Sequence, residues 1–358
     1  MAMMDHWQPV LLEKSLRHSP VQVTLCDRTL VLFRTNTGQI GALDDMCPHR
    51  RMKLSLGKVC GERLQCSYHG WTFDCQGAGA SPGTPKMYAT ATSYDVREAY
   101  GAIWVKPRSV SAEFPLFPTD SYQAIRPLAY TVKAPLELVL DNFCEIEHTA
   151  TTHVIFGYPL NGMDKVTVQC IPEGDSVRVV NHGPARPLSF LNRFLLGITK
   201  KYRFDDEWTS HFSPVYSIFD HYWSDPKTGQ ESKARWRIII ALTPISDRET
   251  HIFVFPYLRS THAYYPDWLV RCFHPYLRRF VDMELKLDVR VLEGLASQDP
   301  SLEGMKLSRF DRVLGMNRER IDRVYRGIAE SSSHLNGSSE NNLNSDSPVP
   351  GTNHVWQE

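Results

Sequence analysis

Cys47-Pro48-His49-Arg50 and, after fifteen intervening residues, Cys66-Ser67-Tyr68-His69-Gly70-Trp71 are the stretches from which the rest of the chain can be read. Each sets one thiol beside one imidazole, close enough for a single tight loop to present both. The intervening residues let the two loops close over a common centre. Two Cys and two His also suit a tetrahedral zinc ion. Zinc clips, however, usually pair like with like, as Cys-x2-Cys or His-x3-His. A mixed clip used twice suits a [2Fe-2S] cluster better, with two thiolates on one iron and two imidazoles on the other.

Outward from these loops the chain reads as short strands. VQVTL, TLVLFRT and IGALDD within 21–45 are rich in β-branched residues, and Asn36-Thr37-Gly38 marks a hairpin turn. Further strands are expected around 64–67, 71–74 and 102–106, with Gly- and Pro-rich connections, notably 77–85. Residues 1–112 therefore read as a small all-β module. Phe114-Pro115-Leu116-Phe117-Pro118-Thr119-Asp120 reads as a linker. Beyond it the texture changes to α+β over 113–330. A helix is expected over 134–147, with Pro135 in its first turn. Strands follow at 166–171, 176–182, 233–243 and 251–258, with a turn at Lys227-Thr228-Gly229. A long amphipathic helix spans 266–296 and another helical stretch spans 309–329. Residues 331–358 are too poor in apolar side chains to offset their ordering entropy and are expected to form a disordered tail.

A second constellation lies in this later part. On a helix, Asp141, Glu145 and His148 would be spaced i, i+4, i+7 and share one face with Leu138. Ionisable groups turned toward a core need a reason, because unpaired burial is costly. Thr149–Thr152 are weak helix formers, so the chain is expected to turn there and bring His153 beside His148. Two imidazoles and one carboxylate with open positions make a non-haem iron site. The carboxylate expected from the long helix is Asp288, which falls within the stripe Val281, Leu285, Leu292 and Leu295. Asp282 and Glu293 lie off that stripe, and Glu284, on its border, is the alternative. Two hydrogen-bonded core histidines would be the plainer reading of His148 and His153.

The pattern C-x-H, a sixteen-residue gap and C-x2-H resembles the Rieske domain, and Pro82-Gly83-Thr84-Pro85 is similar to the proline loop that covers its cluster. A carboxylate followed by x2-H-x4-H, here from Glu145 to His153, resembles the catalytic motif of Rieske non-haem iron oxygenases. Residues 287–293 are similar to that family's later segment carrying an Asp ligand. The resemblance runs over roughly residues 5–330. It implies an α+β chain: an N-terminal all-β Rieske domain, then a helix-grip (START-like) α+β catalytic domain. It further implies a [2Fe-2S] cluster on Cys47, His49, Cys66 and His69, and Fe(II) on His148, His153 and Asp288. Glu145 stands where the family usually carries Asp, whose role is to bridge the cluster of one subunit and the iron of its neighbour. The family's short members form head-to-tail homotrimers, in which His69 would approach Glu145 and His148 of the adjacent chain. They use O2 and a separate ferredoxin or flavin reductase to hydroxylate or demethylate small aromatic or alicyclic substrates, as monooxygenases or dioxygenases.

Composition bounds the rest. The 358 residues are 42% hydrophobic and 22% charged, with zero formal net charge, so no basic excess argues for nucleic acid or a membrane surface. The first residues lack the apolar core of a secretory signal, and no run approaches the roughly 20 apolar residues that span a bilayer. Eight cysteines are too sparse for a disulfide framework, and a reducing cytoplasm is the expected compartment. Cys26, Cys60, Cys75, Cys144, Cys170 and Cys272 read as small buried residues or free thiols. No dinucleotide fingerprint follows a strand, which fits an external electron donor. Phe156, Tyr158, Phe190, Phe194, Leu195, Phe219 and Trp236 are candidates to line a substrate pocket, or simply core. A second reading is a Rieske electron carrier whose later domain only binds a ligand, without oxygenase chemistry.

Overall fold

The computed structural model describes residues 2–188, 193, 198, 202–260 and 267–328. The expected tail at 331–358 and the pocket candidates Phe190, Phe194 and Leu195 lie outside the described residues.

Three small antiparallel sheets make the N-terminal part. Val21–Leu25, Arg28–Arg34 and Ile40–Asp44 form one, and Gln8–Leu12, Ala102–Pro107 and Tyr94–Ala99 form another. The third joins Lys58–Cys60, Arg63–Gln65, Thr72–Phe73, Ala78–Ala80 and Tyr88–Thr90. Strand Arg28–Arg34 explains why two cores are needed. Leu30, Val31, Leu32 and Phe33 are all fully buried, and alternate side chains leave a strand on opposite faces. Leu30 and Leu32 pack with Val10, Ile103 and Val105, whereas Val31 and Phe33 pack with Cys47, Cys66, Trp71 and Phe73. The Cys-bearing loops thus rest on a hydrophobic floor.

The later part is an eight-stranded antiparallel sheet. Its order is Gln123–Ala124, Glu249–Ser260, Ala234–Ser246, Val215–Ser224, Arg203–Phe212, Ser176–Pro184 and Thr167–Glu173, with Leu128–Val132 also pairing with Glu249–Ser260. Strands Arg203–Phe212 and Val215–Ser224 were not apparent from the sequence. Asp205, Asp206, Glu207 and His211 interrupt the apolar alternation that marks a strand, yet Phe204, Trp208 and Phe212 still share one face.

Among the described residues, the sheets are accompanied by helices α1 (Leu136–Cys144), α2 (Thr149–Thr152), α3 (Asp267–Glu293) and α4 (Arg312–Arg320). Val281, Leu285 and Leu292 of α3 belong to the same buried cluster as Ile238, Ile240 and Val254 of the sheet, the expected helix-grip arrangement. Leu295 departs from the expected stripe: it lies past the helix end and is 41% exposed. The helix expected over 134–147 stops at Cys144, and Glu145 is extended at φ −115°, ψ 147°. Asp141, Glu145 and His148 therefore do not share a helical face. The two parts are also tied directly: Gln8 Nε2 donates to Tyr325 Oη at 2.8 Å, and Thr243 Oγ1 donates to Pro9 O at 2.8 Å. Among the described residues, no helix is long and apolar enough to cross a membrane.

Candidate metal centres

The first centre is built from two loops. One follows strand Ile40–Asp44 and carries Cys47 and His49; the other links Arg63–Gln65 to Thr72–Phe73 and carries Cys66 and His69. Each is closed by its own backbone. Cys47 N–H donates to Met52 O and Arg51 N–H to Cys47 O, both at 2.8 Å. Cys66 N–H donates to Trp71 O at 2.7 Å and Gly70 N–H to Cys66 O at 3.1 Å. Gly70 takes φ +72°, which glycine adopts without strain, and a Cβ there would stand 3.4 Å from Pro82 of the proline loop. Both thiols are buried at 2% exposure, while the rings of His49 and His69 meet near the surface with centroids 4.6 Å apart. Burial raises the Cys47 thiol, and the adjacent Cys66 raises it further. Sulfur donors are gathered at the inner end and nitrogen donors at the outer end. That segregation fits a cluster with two thiolates on one iron and two imidazoles on the other. Of the nearby cysteines, Cys60 is exposed with its thiol donating to Gln65 Oε1, and Cys75 is buried in the same hydrophobic floor as Cys47 and Cys66.

The second centre lies where α1 gives way to α2. His148 precedes the single turn of α2 and His153 follows it, with His153 N–H donating to Thr149 O at 3.2 Å. The rings come to 5.1 Å between centroids, at 75° to each other. The threonines thus work by forming one helical turn, not by avoiding helix as expected. Asp288 reaches them from α3. Its Oδ1 accepts from His153 Nε2 at 2.9 Å and lies 3.3 Å from His148 Nε2, which is otherwise without a hydrogen-bond partner. One donor atom from each of His148, His153 and Asp288 lies within 4.8 Å of the others.

Both imidazoles are backed by a second carboxylate. His148 Nδ1 is 2.5 Å from Glu145 Oε1, and His153 Nδ1 is 3.1 Å from Glu284 Oε2. Glu145 is fixed in turn, its Oε2 accepting N–H groups of Glu147 at 2.6 Å and His148 at 3.2 Å. Glu284 accepts the Val154 N–H, and Asn142 Nδ2 donates to Asp288 Oδ1 at 3.1 Å. Burial disfavours the charge on both imidazoles, but the carboxylates outweigh it and lift each pKa to about 9. Burial likewise pushes the Asp288 carboxyl up, but the two histidines outweigh it and hold it at about 2. Three carboxylates face two imidazoles, all largely buried, and a divalent cation could take the place of the two imidazole protons without changing the net charge of the site. The geometry also separates Asp288 from Glu284. Asp288 meets both Nε2 atoms, whereas Glu284 meets one Nδ1 from behind, the usual place for a group that orients a metal-binding imidazole.

A small cavity, partly open to solvent, adjoins these three residues. Phe156 and Phe219 line it as expected. Tyr158 is fully buried behind it against Phe204, and Trp236 stands edge-on behind Phe156. Asp141 is not part of this centre: it pairs with Arg318 of α4, and burial lifts its carboxyl to about 7. Asn142 and Arg186 were not singled out from the sequence. Arg186 donates to the carbonyls of His153, Thr149 and Tyr158, holding the turn that carries both histidines. Residues that act by hydrogen-bonding a backbone across long separations leave no local pattern.

Comparison with known proteins adds the following. The family described as Rieske [2Fe-2S] domain matches residues 6–94, and the vanillate O-demethylase oxygenase C-terminal domain matches residues 132–326. Methylxanthine N1-demethylase NdmA of Pseudomonas putida is 36% identical over 163 residues, 41% of this chain and 46% of that protein. A vanillate O-demethylase oxygenase subunit of Pseudomonas sp. (strain HR199 / DSM 7063) is 29% identical over 179 residues, 48% of this chain and 50% of that one. The chloroplastic protein TIC 55 of Pisum sativum is 31% identical over 165 residues, 42% of this chain but 29% of its own length. These matches span half or less of each relative. Among solved structures, dicamba monooxygenase bound to 3,6-dichlorosalicylic acid superposes with a TM-score of 0.78 at 21% identity, covering 92% of this chain and 99% of that one, which shows the shared fold.

Proposed function

The chain belongs to the Rieske oxygenases with a vanillate O-demethylase-type C-terminal domain, and from that premise we propose that it is an O2-dependent oxygenase. It hydroxylates or oxidatively demethylates a small, largely apolar aromatic or alicyclic substrate. The observation that carries this reading is the meeting of His148 Nε2, His153 Nε2 and Asp288 Oδ1 at the wall of an apolar cavity. Two imidazoles and one carboxylate leave coordination positions open for O2. A ligand-binding electron carrier would have no use for this convergence of buried charge.

We assign the [2Fe-2S] cluster to Cys47, His49, Cys66 and His69, and Fe(II) to His148, His153 and Asp288. When bound, the cluster supplies electrons and the iron supplies the O2 chemistry. The chain's own residues do the rest. Glu145 keeps the proton on His148 Nδ1, so that Nε2 is the free donor; Glu284 orients His153 in the same sense, and Asn142 holds Asp288. The apolar wall excludes water and orients the substrate. We place the domain boundary near residues 112–113, between the two matched regions. We further assign a head-to-tail homotrimer, with His69 of one subunit approaching Glu145 of the next. Both side chains are partly exposed, as such a contact requires. A separate ferredoxin or flavin reductase supplies electrons, and six thiols outside the cluster, none of them in a disulfide, suit a reducing cytoplasm.

The test is metal analysis of the wild type against a His148→Ala, His153→Ala double variant. The wild type should hold one iron beyond the pair in its cluster. The double variant should lose that iron and keep the reduced-cluster electron paramagnetic resonance signal. An unchanged iron-to-chain ratio would remove the catalytic reading.

A further inference from the structure

Away from His148, His153, Asp288 and the groups that support them, the cavity wall is aromatic and aliphatic except at one place. Asp206 and His221 face each other across neighbouring strands, in register, with Phe204 and Trp223 on one side and Trp208 and Phe219 on the other. Both line the same cavity as His148 and His153. His221 is clamped by Phe156, whose ring stacks on it at 4.6 Å and 25°. Asp206 is 4% exposed. The two side chains sit 3.1 Å apart, Oδ1 to Nδ1, yet neither atom finds an aligned hydrogen-bond partner. A buried carboxylate oxygen left with bonding capacity costs free energy that a donor from a bound molecule would recover. Among the described lining residues there is no lysine or arginine, whereas Glu145, Asp206, Glu284 and Asp288 all contribute carboxylates.

We propose that Asp206, steadied by His221, is the specificity-determining residue of this cavity, and that it selects a neutral ring carrying a hydroxyl or N–H donor and rejects a carboxylate-bearing one. This rests on the reading of the cavity as the substrate site. Asp206 Oδ1 accepts the donor's hydrogen, while His221 presents an edge against which an adjacent acceptor of the ring can lie. An aromatic carboxylate held at Asp206 would set a second negative charge against that carboxylate, with no lysine or arginine among the described lining residues to meet it, which disfavours binding there.

The test is equilibrium binding by anaerobic calorimetry to the iron-loaded protein, using three matched probes: 2-methoxyphenol, methoxybenzene and 2-methoxybenzoate. The phenol should bind roughly 10-fold or more tighter than methoxybenzene, the scale of a hydrogen bond to a charged acceptor. The benzoate should bind weakest. In Asp206→Asn the phenol's advantage should shrink to a few-fold or less and the benzoate should gain, while Glu207→Gln, one position along the strand, should leave the order unchanged. Equal affinity for the three, preference for the benzoate, or no binding of any at millimolar concentration overturns the proposal. Iron per chain, counted on the same preparations, reports separately on the metal assignment, so the two failures are distinguishable.

Discussion

The two centres differ in how the chain delivers its donors. The cluster loops bring Cys47, His49, Cys66 and His69 together within one short stretch, on a floor of Val31, Phe33, Trp71 and Phe73. The cavity centre draws His148 and His153 from one turn and Asp288 from a helix 135 residues beyond His153. In the first, buried thiols face inward and imidazoles face the surface, as the proposed receipt of electrons would require. In the second, every donor is largely buried and must be backed by another polar group, because an unsupported charge there would be costly. A centre that exchanges electrons with partners needs an exposed edge; one that handles substrate needs enclosure and a surrounding set of supports.

That contrast can be broken by substitution. The largest effect is expected for Cys66→Ser. The thiol is both a proposed cluster ligand and part of the buried floor, so the variant should lose its visible absorbance and melt well below the wild type, since metal binding contributes directly to folding in such loops. A Cys66→Ser protein that kept its colour would contradict the assignment. Glu145→Gln should keep both metals yet slow electron delivery from the reduced cluster by about 10–100-fold in single-turnover measurements, the scale of one hydrogen bond to a charged group. Normal turnover would remove its linking role. Asn142→Ala and Glu284→Gln should each weaken iron binding by about 10–100-fold, as is usual for residues behind metal ligands, with the cluster spectrum unaltered. Smallest for the metal, Asp141→Asn should leave iron content unchanged while costing stability by about 1–3 kcal/mol through the lost pairing with Arg318. Loss of iron in that variant would return Asp141 to the centre.

The same contrast explains what could be read from the residues. Donors close in sequence were legible, and so was the helix that carries Asp288, because a lone carboxylate on an apolar stripe stands out. The supports were not. The role of Asn142 depends on a partner 146 residues away, and that of Arg186 on carbonyls over 30 residues away. The strands at Arg203–Phe212 and Val215–Ser224 escaped notice for a related reason. Their cavity-facing polar pair, Asp206 and His221, breaks the alternation by which strands are recognised. The end of α1 at Cys144 was hidden because Glu145 and Glu147 are good helix formers. The backbone N–H groups of Glu147 and His148, donating to the Glu145 carboxylate, overrode that propensity.

The most direct test is anomalous diffraction at the iron edge from crystals of the iron-loaded protein. Two separate features are expected, a paired one between the Cys47 and Cys66 loops and a single one among His148, His153 and Asp288. A zinc-edge signal at the loops, or no iron among those three residues in fully loaded protein, would contradict the account.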